Sequence, residues 1–514
     1  MEKGSTSDVV GVIDFGSQYN LLIARRVRQL GVYAELFPYD VDLETLRRRG
    51  VRALILSGGP ASALDGRYLP RRELITSGIP LLGICYGMQV VSHLMGGRVV
   101  RGESGEYGRQ ILHADGGSEL LAGLTDPVQV WMSHGDLVEE PPPGFRTIAR
   151  TETCPHAAAV DGERRICLVQ FHPEVSHTPQ GLTILSNFLF NIAGCEKGWD
   201  MGDFVTRSVE SIRAQVGDGS VVCGVSGGVD STVVSILCHR AIGPRLHAIF
   251  VDHGLLREGE ASWVRDRLTA LGLNLRCVDA SARFLDELAG VVDPEEKRRR
   301  IGHLFIEVFE EAAHNAGKVD FLMQGTLYPD VIESRGASGP GARIKSHHNV
   351  GGLPERMRLR LVEPLRELFK DEVREVGRRL EIPAELLGRH PFPGPGLAVR
   401  ILGEVTEENL GLVRAADAIF IDELRRSGTY DQVWQAFTVL LPVHSVGVMG
   451  DERTYGMTIV LRAVSSVDGM TADWSRLPAD VLERAANRIV NTVHGINRVV
   501  YDVTSKPPAT IEWE

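Results

Sequence analysis

Leu81-Leu82-Gly83-Ile84-Cys85-Tyr86-Gly87-Met88-Gln89 is a short apolar run that turns on a cysteine and continues in helix-forming sequence. Four apolar residues bounded by turn signals predict a fully buried strand. The Gly-x-Cys-x-Gly pattern at its end mirrors the nucleophile elbow, with cysteine in place of serine. A side chain there stands at an exposed strand-to-helix corner, and the flanking glycines permit the strained backbone. The helix N-terminus brings partial positive charge, which favours the thiolate. Backbone N–H groups at the corner could hold a tetrahedral oxyanion.

The same rhythm recurs on either side. Val9–Ile13 and Ala53–Leu56 are further short apolar runs, the second ending in Ser57-Gly58-Gly59-Pro60. The stretch Leu21–Leu30 has helical periodicity and stops at Gly31. Buried strands alternating with helices predict a mostly parallel α/β sheet covered on both faces. A β-rich stretch is expected from about Val128 to Phe171, then a helix from about Leu182 to Ile192. The strand Ile166–Phe171 ends in His172-Pro173-Glu174. Extended residues at i and i+2 point the same way, so Glu174 can orient His172, and His172 can serve Cys85 as base. The Gly58-Gly59 turn is a candidate second oxyanion donor.

After Gly198-Trp199 a second α/β unit is expected. Its strands are Val221–Val225, Ala248–Val251 and Leu275–Val278. Its helices are Ser231–Ala241, Glu258–Leu271 and roughly Glu295–Ala316. Between the first strand and helix lies Ser226-Gly227-Gly228-Val229-Asp230-Ser231-Thr232. Backbone N–H groups, two glycines, the hydroxyls and a helix N-terminus make an anion site. Asp230 is out of place beside phosphate unless a Mg²⁺ ion bridges the two, so the loop implies that metal. The Walker pattern GxxxxGK[ST] is absent. Residues 334–352 are expected to form a long functional loop. The run His390-Pro391-Phe392-Pro393-Gly394-Pro395-Gly396 excludes regular structure. The remainder of the chain, to Glu514, is expected to be a third domain of mixed helices and strands.

These motifs carry a resemblance. GICYGMQ and FHPEV resemble class I glutamine amidotransferase domains, which release ammonia from glutamine through a thioester. That resemblance implies Cys85 as nucleophile, His172 as base, Glu174 as its orienting group, and Gly58 and Tyr86 as oxyanion donors. It also places Gln89, Ser133 and His134 near glutamine. Ser226–Thr232 is similar to the loop of ATP pyrophosphatases, which implies ATP contacts from Ser226, Gly227, Gly228, Val229, Asp230, Ser231, Thr232 and Val251, with Asp230 on the metal. LYPDVIES (Leu327–Ser334), KSHHNVGGLP (Lys345–Pro354), HPFPGPGLAVR (His390–Arg400) and TSKPPATIEWE (Thr504–Glu514) resemble GMP synthases. The resemblance implies catalytic Lys345, His347 and Asp371, with Lys370 beside it. It implies XMP contacts from Arg298, Gly394, Gly396, Lys506, Ile511 and Glu512. For Arg299 and Arg300, in the same basic run as Arg298, a solvated helix face is an equal reading.

The implied fold class is α/β throughout the first two domains: a class I amidotransferase domain (9–197) and an adenine-nucleotide α-hydrolase-like, PP-loop domain (198–389). The third is a C-terminal α+β dimerisation and XMP-binding domain (390–514). The implied reaction is ATP-dependent amination of XMP to GMP with ammonia from glutamine. It uses Mg²⁺, ATP as co-substrate and no prosthetic group. The implied partners are glutamine, ATP and XMP, and a second copy of the chain as a homodimer.

Bulk properties agree. The formal net charge is −11, which argues against a general nucleic-acid binder. The seven cysteines show no CxxC spacing, which disfavours a disulfide framework or structural zinc. Neither a signal peptide nor a membrane span is expected, so a cytoplasmic protein is. A PP-loop enzyme acting on tRNA would be expected to show basic patches or CxxC pairs. A regulatory descendant would be expected to lack Cys85, His172, Asp230 or Lys345, and all four are present.

Overall fold

The computed structural model describes residues 8–125, 127–335, 359–449, 452–466, 469 and 471–514. Contacts divide the described chain into two units: residues 8–200 with 329–335, and residues 201–328 with 359–514.

The first unit is built on one nine-stranded sheet. Its strands are β1 (Val9–Asp14), β2 (Tyr33–Pro38), β3 (Val51–Leu56), β4 (Leu81–Ile84), β5 (Arg98–Ala114), β6 (Val128–Glu140), β7 (Arg146–Arg150), β8 (Ala158–Asp161) and β9 (Ile166–Val169). Their order is β2-β1-β3-β4-β9-β8-β7-β5-β6. The segment β2-β1-β3-β4-β9 is parallel, and the rest is antiparallel. The parallel strands are apolar along their length because both faces are covered: Val10, Val12, Leu54, Ile55, Leu81, Leu82 and Leu168 are all fully buried. The β-rich region begins about thirty residues earlier than the sequence suggests, at Arg98 rather than Val128. Strand β5 carries Gly102, Gly105 and Gly108 among charged residues, a composition that looks like loop. The expected helix to Ile192 is α-helical over Gly181–Ser186 and widens to a π-turn over Asn187–Ile192.

The second unit holds two sheets. β10 (Val221–Gly224), β11 (Leu246–Asp252), β12 (Leu275–Asp279), β13 (Phe321–Met323) and β14 (Arg360–Val362) form a parallel sheet in the order β12-β11-β10-β13-β14. The strand order reverses between β10 and β13, and in such sheets ligands bind beyond the carboxyl ends of the strands at that point. β15 (Gln435–Met449) and β16 (Glu452–Ser465) form a long antiparallel hairpin. The short β17 (Asp473–Trp474) and the parallel β18 (Ile496–Tyr501) both pair with β16. One apolar core serves both sheets: Ile249 and Val251 of β11 belong to the same buried cluster as Leu440 of β15 and Ile459 of β16.

Two long helices of this unit start at side-chain caps. Asp293 caps Pro294–His314 by accepting from Glu296 N at 2.9 Å, with proline in the first turn. Thr406 caps Glu407–Arg426 through Asn409 N at 3.1 Å. The first of these helices carries the basic run. Lys297 is fully buried, its Nζ donating to Ile401 O at 2.6 Å and pairing with Glu514 Oε2 at 2.5 Å. Arg298 donates to the Glu514 main-chain oxygen. Arg299 and Arg300 pair with Glu296 on the solvated face.

Candidate active sites

In the first unit the parallel pairing of β4 with β9 sets Ile84 beside Val169, so the residues just past both strands lie side by side. Cys85 caps the helix Tyr86–Leu94 with φ 52° and ψ −106°. This positive φ is uncommon for a residue with a side chain and marks a strained corner. Cys85 N donates to Val169 O at 2.8 Å, and Cys85 Sγ lies 3.6 Å from Ser133 O. The close packing explains both glycines of the elbow. A Cβ on Gly87 would stand 2.5 Å from Leu56 O, and one on Gly83 2.9 Å from Gly87. Gly87→Ala should therefore cost about 2–4 kcal/mol and lower the melting temperature of the first unit by several degrees in calorimetry.

His172 Nδ1 meets Glu174 Oε1 at 2.7 Å, and both side chains are buried. Burial opposes charge on His172. The Glu174 carboxylate and the hydrogen bonds to Cys85 and Glu174 outweigh it, so the imidazole pKa stands well above its ordinary value. Tyr19 packs edge-on against the imidazole at 5.2 Å. Gly58 also borders it: a Cβ there would lie 3.1 Å from His172 Cε1 and 3.9 Å from Cys85 Cβ. The backbones of Gly58 and of Tyr86, the first helical residue, thus flank the cysteine.

The remaining expected glutamine-site residues act on the backbone. Gln89 Nε2 donates to Asp136 O at 2.7 Å. His134 uses both ring nitrogens, Nδ1 to Asp136 O at 3.0 Å and Nε2 to Glu106 Oε2 at 3.1 Å. Together they fix residues 133–136, which bring Ser133 O to the thiol. Glu106 belongs to the same cluster. Its other oxygen accepts from Thr151 and Thr153 at 2.8 and 2.6 Å, partners 45 and 47 residues away. A buried acid within a strand leaves no local signal.

In the second unit, Ser226–Thr232 begins just past β10, at the point where the strand order reverses. Ser226 N and Oγ each lie 3.2 Å from Ser231 Oγ, and Gly228 N donates to Ser226 Oγ at 3.3 Å. Asp230 Oδ2 pairs with Lys370 Nζ at 2.5 Å. Asp230 Oδ1 and Thr232 Oγ1 are buried with no hydrogen-bond partner among the described residues. Two orphaned oxygens beside a loop of N–H groups are the donor set that a hard cation and a phosphate would satisfy. Val251 lies in β11, its side chain in the shared core. His253 is buried and its pKa is pushed down to about 4 by burial, so it is neutral; its Nδ1 accepts from Leu255 N at 3.0 Å. Asp371 opens the helix Lys370–Arg379 beside Lys370. Lys345 and His347 lie outside the described residues.

Of the expected XMP residues, Gly396 has φ 63° and abuts the turn after β11; a Cβ there would meet Leu255 O at 2.3 Å. Gly394 is open. Glu512 is held by the fully buried Arg400 at 2.9 and 3.1 Å and by Gln435 at 2.7 Å. The Lys506 ammonium donates to Gly469 O at 2.8 Å. Ile511 is buried with Phe437 and Val460, leaving only its backbone for a ligand. The buried Arg462 ties down the same terminal segment through Thr504 O at 2.6 Å and Thr510 O at 3.1 Å. Lys297, Arg400 and Arg462 were not legible as buried cations, because their partners lie 40 to 217 residues away.

Three family models match consecutive parts of the chain: Glutamine amidotransferase class-I over residues 11–192, NAD synthase over 200–280, and GMP synthase C terminal domain over 422–513. Fold and sites thus define a class I glutamine amidotransferase domain joined to a PP-loop, ATP-using domain. The chain is 56% identical to a glutamine-hydrolysing GMP synthase of Aquifex aeolicus, over 98% of this chain and 99% of the other. It is 57% identical to one of Symbiobacterium thermophilum, over 99% of each. A solved glutamine amidotransferase of Thermotoga maritima is 18% identical with a TM-score of 0.32, covering 36% of this chain and 98% of its own. The chain belongs to the glutamine-hydrolysing GMP synthase family.

Proposed function

We propose that this protein aminates XMP to GMP, using ATP to activate XMP and glutamine as the source of ammonia. The observation that carries this reading is the end-to-end identity with glutamine-hydrolysing GMP synthases. The geometry of two separate sites supports it. In the first, Cys85 attacks the glutamine amide carbon. The raised His172 pKa favours the imidazolium, the state in which the ring has taken the thiol proton and can return it to the leaving ammonia. Gly58 and Tyr86 N–H groups hold the oxyanion, and water releases glutamate from the thioester.

In the second, the xanthine O2 of XMP attacks the ATP α-phosphorus, expelling pyrophosphate and leaving adenyl-XMP. Ammonia adds at C2, and AMP departs with the former O2. Activation is needed because an amide-like oxygen is a poor leaving group. Residues 226–232 cradle the phosphates. The orphaned Asp230 oxygen fits a Mg²⁺ ion, which when bound would offset phosphate charge. Lys370 is placed to exchange Asp230 for a phosphate oxygen. Lys345, His347 and Asp371 are assigned to adenylyl transfer, and Arg298, Gly394, Gly396, Lys506, Ile511 and Glu512 to XMP, on resemblance. We divide these roles among residues 9–197, 198–389 and 390–514.

A homodimer is proposed through the β15–β16 hairpin, where Val443, Val446, Val448 and Tyr455 are exposed. Among the described residues no helix is long and apolar enough to cross a membrane. We assign the protein to the cytoplasm, where its nucleotide substrates reside. Incubation with XMP, ATP, Mg²⁺ and glutamine should deplete the xanthine absorbance; turnover of another acceptor but not XMP would overturn the assignment.

The His172–Glu174 pair gives a signed pH prediction. Because the Glu174 charge raises the His172 pKa, Glu174→Gln lowers it, and the imidazolium is lost at lower pH. The alkaline limb of the glutamine-hydrolysis profile should move to lower pH, with a rate loss of up to about 100-fold at neutral pH. An unmoved limb would remove His172 from the ionisation that matters.

A further inference from the structure

Arg389 lies just before the proline–glycine segment and is not among the residues assigned so far. Its side chain is largely buried behind the phosphate loop. Arg389 Nη1 donates to Gly227 O at 2.8 Å, Nη2 pairs with Glu260 Oε1, and the guanidinium stacks over Trp263 at 4.9 Å. Glu260 is itself buried, and its second oxygen accepts from Arg257 N at 3.0 Å. A planar guanidinium holds its donors in a fixed fork and so bridges two such acceptors in one rigid geometry, whereas a lysine ammonium is a compact charge on a flexible stem.

The contact with Gly227 bears on the loop's chemistry. A trans peptide is planar, with its C=O and N–H on opposite edges. Holding the Gly227 carbonyl on the Arg389 side therefore turns the Gly228 N–H the other way, into the hollow of the loop, where it meets Ser226 Oγ at 3.3 Å. Gly227 must be glycine for this to work. Its φ is 72°, and a Cβ would lie 2.5 Å from Val264 and 3.0 Å from Arg389 Nη1. The loop is thus braced from behind by one cation whose own position is set by Glu260 and Trp263.

We infer that Arg389 is a positioning residue for ATP: by gripping the Gly227 carbonyl it presets the Gly228 N–H toward the phosphates and keeps a positive charge behind the loop. The inference rests on the proposed assignment of residues 226–232 to ATP. Being buried, Arg389 acts through the loop rather than on the nucleotide itself.

The experiment measures KM for ATP and kcat in the ammonia-dependent reaction, and separately the affinities of the free enzyme for XMP and for a non-hydrolysable ATP analogue. Arg389→Met should raise KM for ATP at least about tenfold and weaken the analogue to match, with XMP affinity unchanged. Arg389→Ala should recover part of its ATP affinity in millimolar methylguanidinium, which no general packing defect would do. Glu260→Gln, which keeps the shape and loses the charge, should raise KM for ATP by a smaller factor and serves where Arg389 variants do not fold. Unchanged ATP affinity in Glu260→Gln and Arg389→Met, or equal losses for ATP and XMP, would overturn the inference. A wild-type protein that does not bind the analogue would overturn the reading of the loop itself.

Discussion

Cys85→Ala is expected to abolish glutamine-dependent GMP formation, by at least about 10⁴-fold, while ammonium salts at high concentration still support amination. Cys85, the proposed nucleophile, sits at a strained corner with His172 and Glu174 aligned behind it, and this line lies in the first unit. Alanine removes the attacking sulfur and keeps the backbone, including the N–H groups of Gly58 and Tyr86. The loop at Ser226–Thr232 belongs to the second unit. Glutamate release and GMP formation, measured on the same variant with each nitrogen source, check the expectation. Loss of both glutamine- and ammonia-dependent GMP formation would contradict the division of labour.

Asp230→Asn is expected to have the converse effect, lowering GMP formation from glutamine and from ammonia alike by roughly 10²–10³-fold. Asp230 has one buried oxygen without a partner among the described residues and the other on Lys370. Asparagine retains the shape but cannot neutralise a cation, and it leaves Lys370 without its counter-ion. Glutamine hydrolysis, assayed by glutamate release, should persist. If amination survived, the phosphate loop would need another metal-binding residue.

Much of this division was legible in the sequence. The parallel strands are buried on both faces, so they appear as continuous apolar runs, and the two turns that matter come directly after β4 and β10. Glycines at 83 and 87 marked an elbow, and the structure gives their reason in a backbone that leaves no room for Cβ. The features that stayed hidden depend on long-range partners. β5 looks like loop because its glycines and charges obscure its alternation. His134 and Gln89 carry polar side chains suited to a ligand, and their shared contact with Asp136 O shows only in the fold. Glu106 and Arg389 become meaningful only once Thr151, Thr153, Gly227 and Glu260 are brought beside them by the fold.

In the proposed function, nitrogen released at Cys85 ends on XMP activated in the second unit. Turnover of XMP and Mg²⁺-ATP with glutamine labelled with ¹⁵N in the amide checks this transfer. GMP should carry ¹⁵N on its exocyclic amino group, with one AMP, one pyrophosphate and one glutamate formed per GMP. GMP formed without the label, or labelled ammonia released with XMP unchanged, would contradict it.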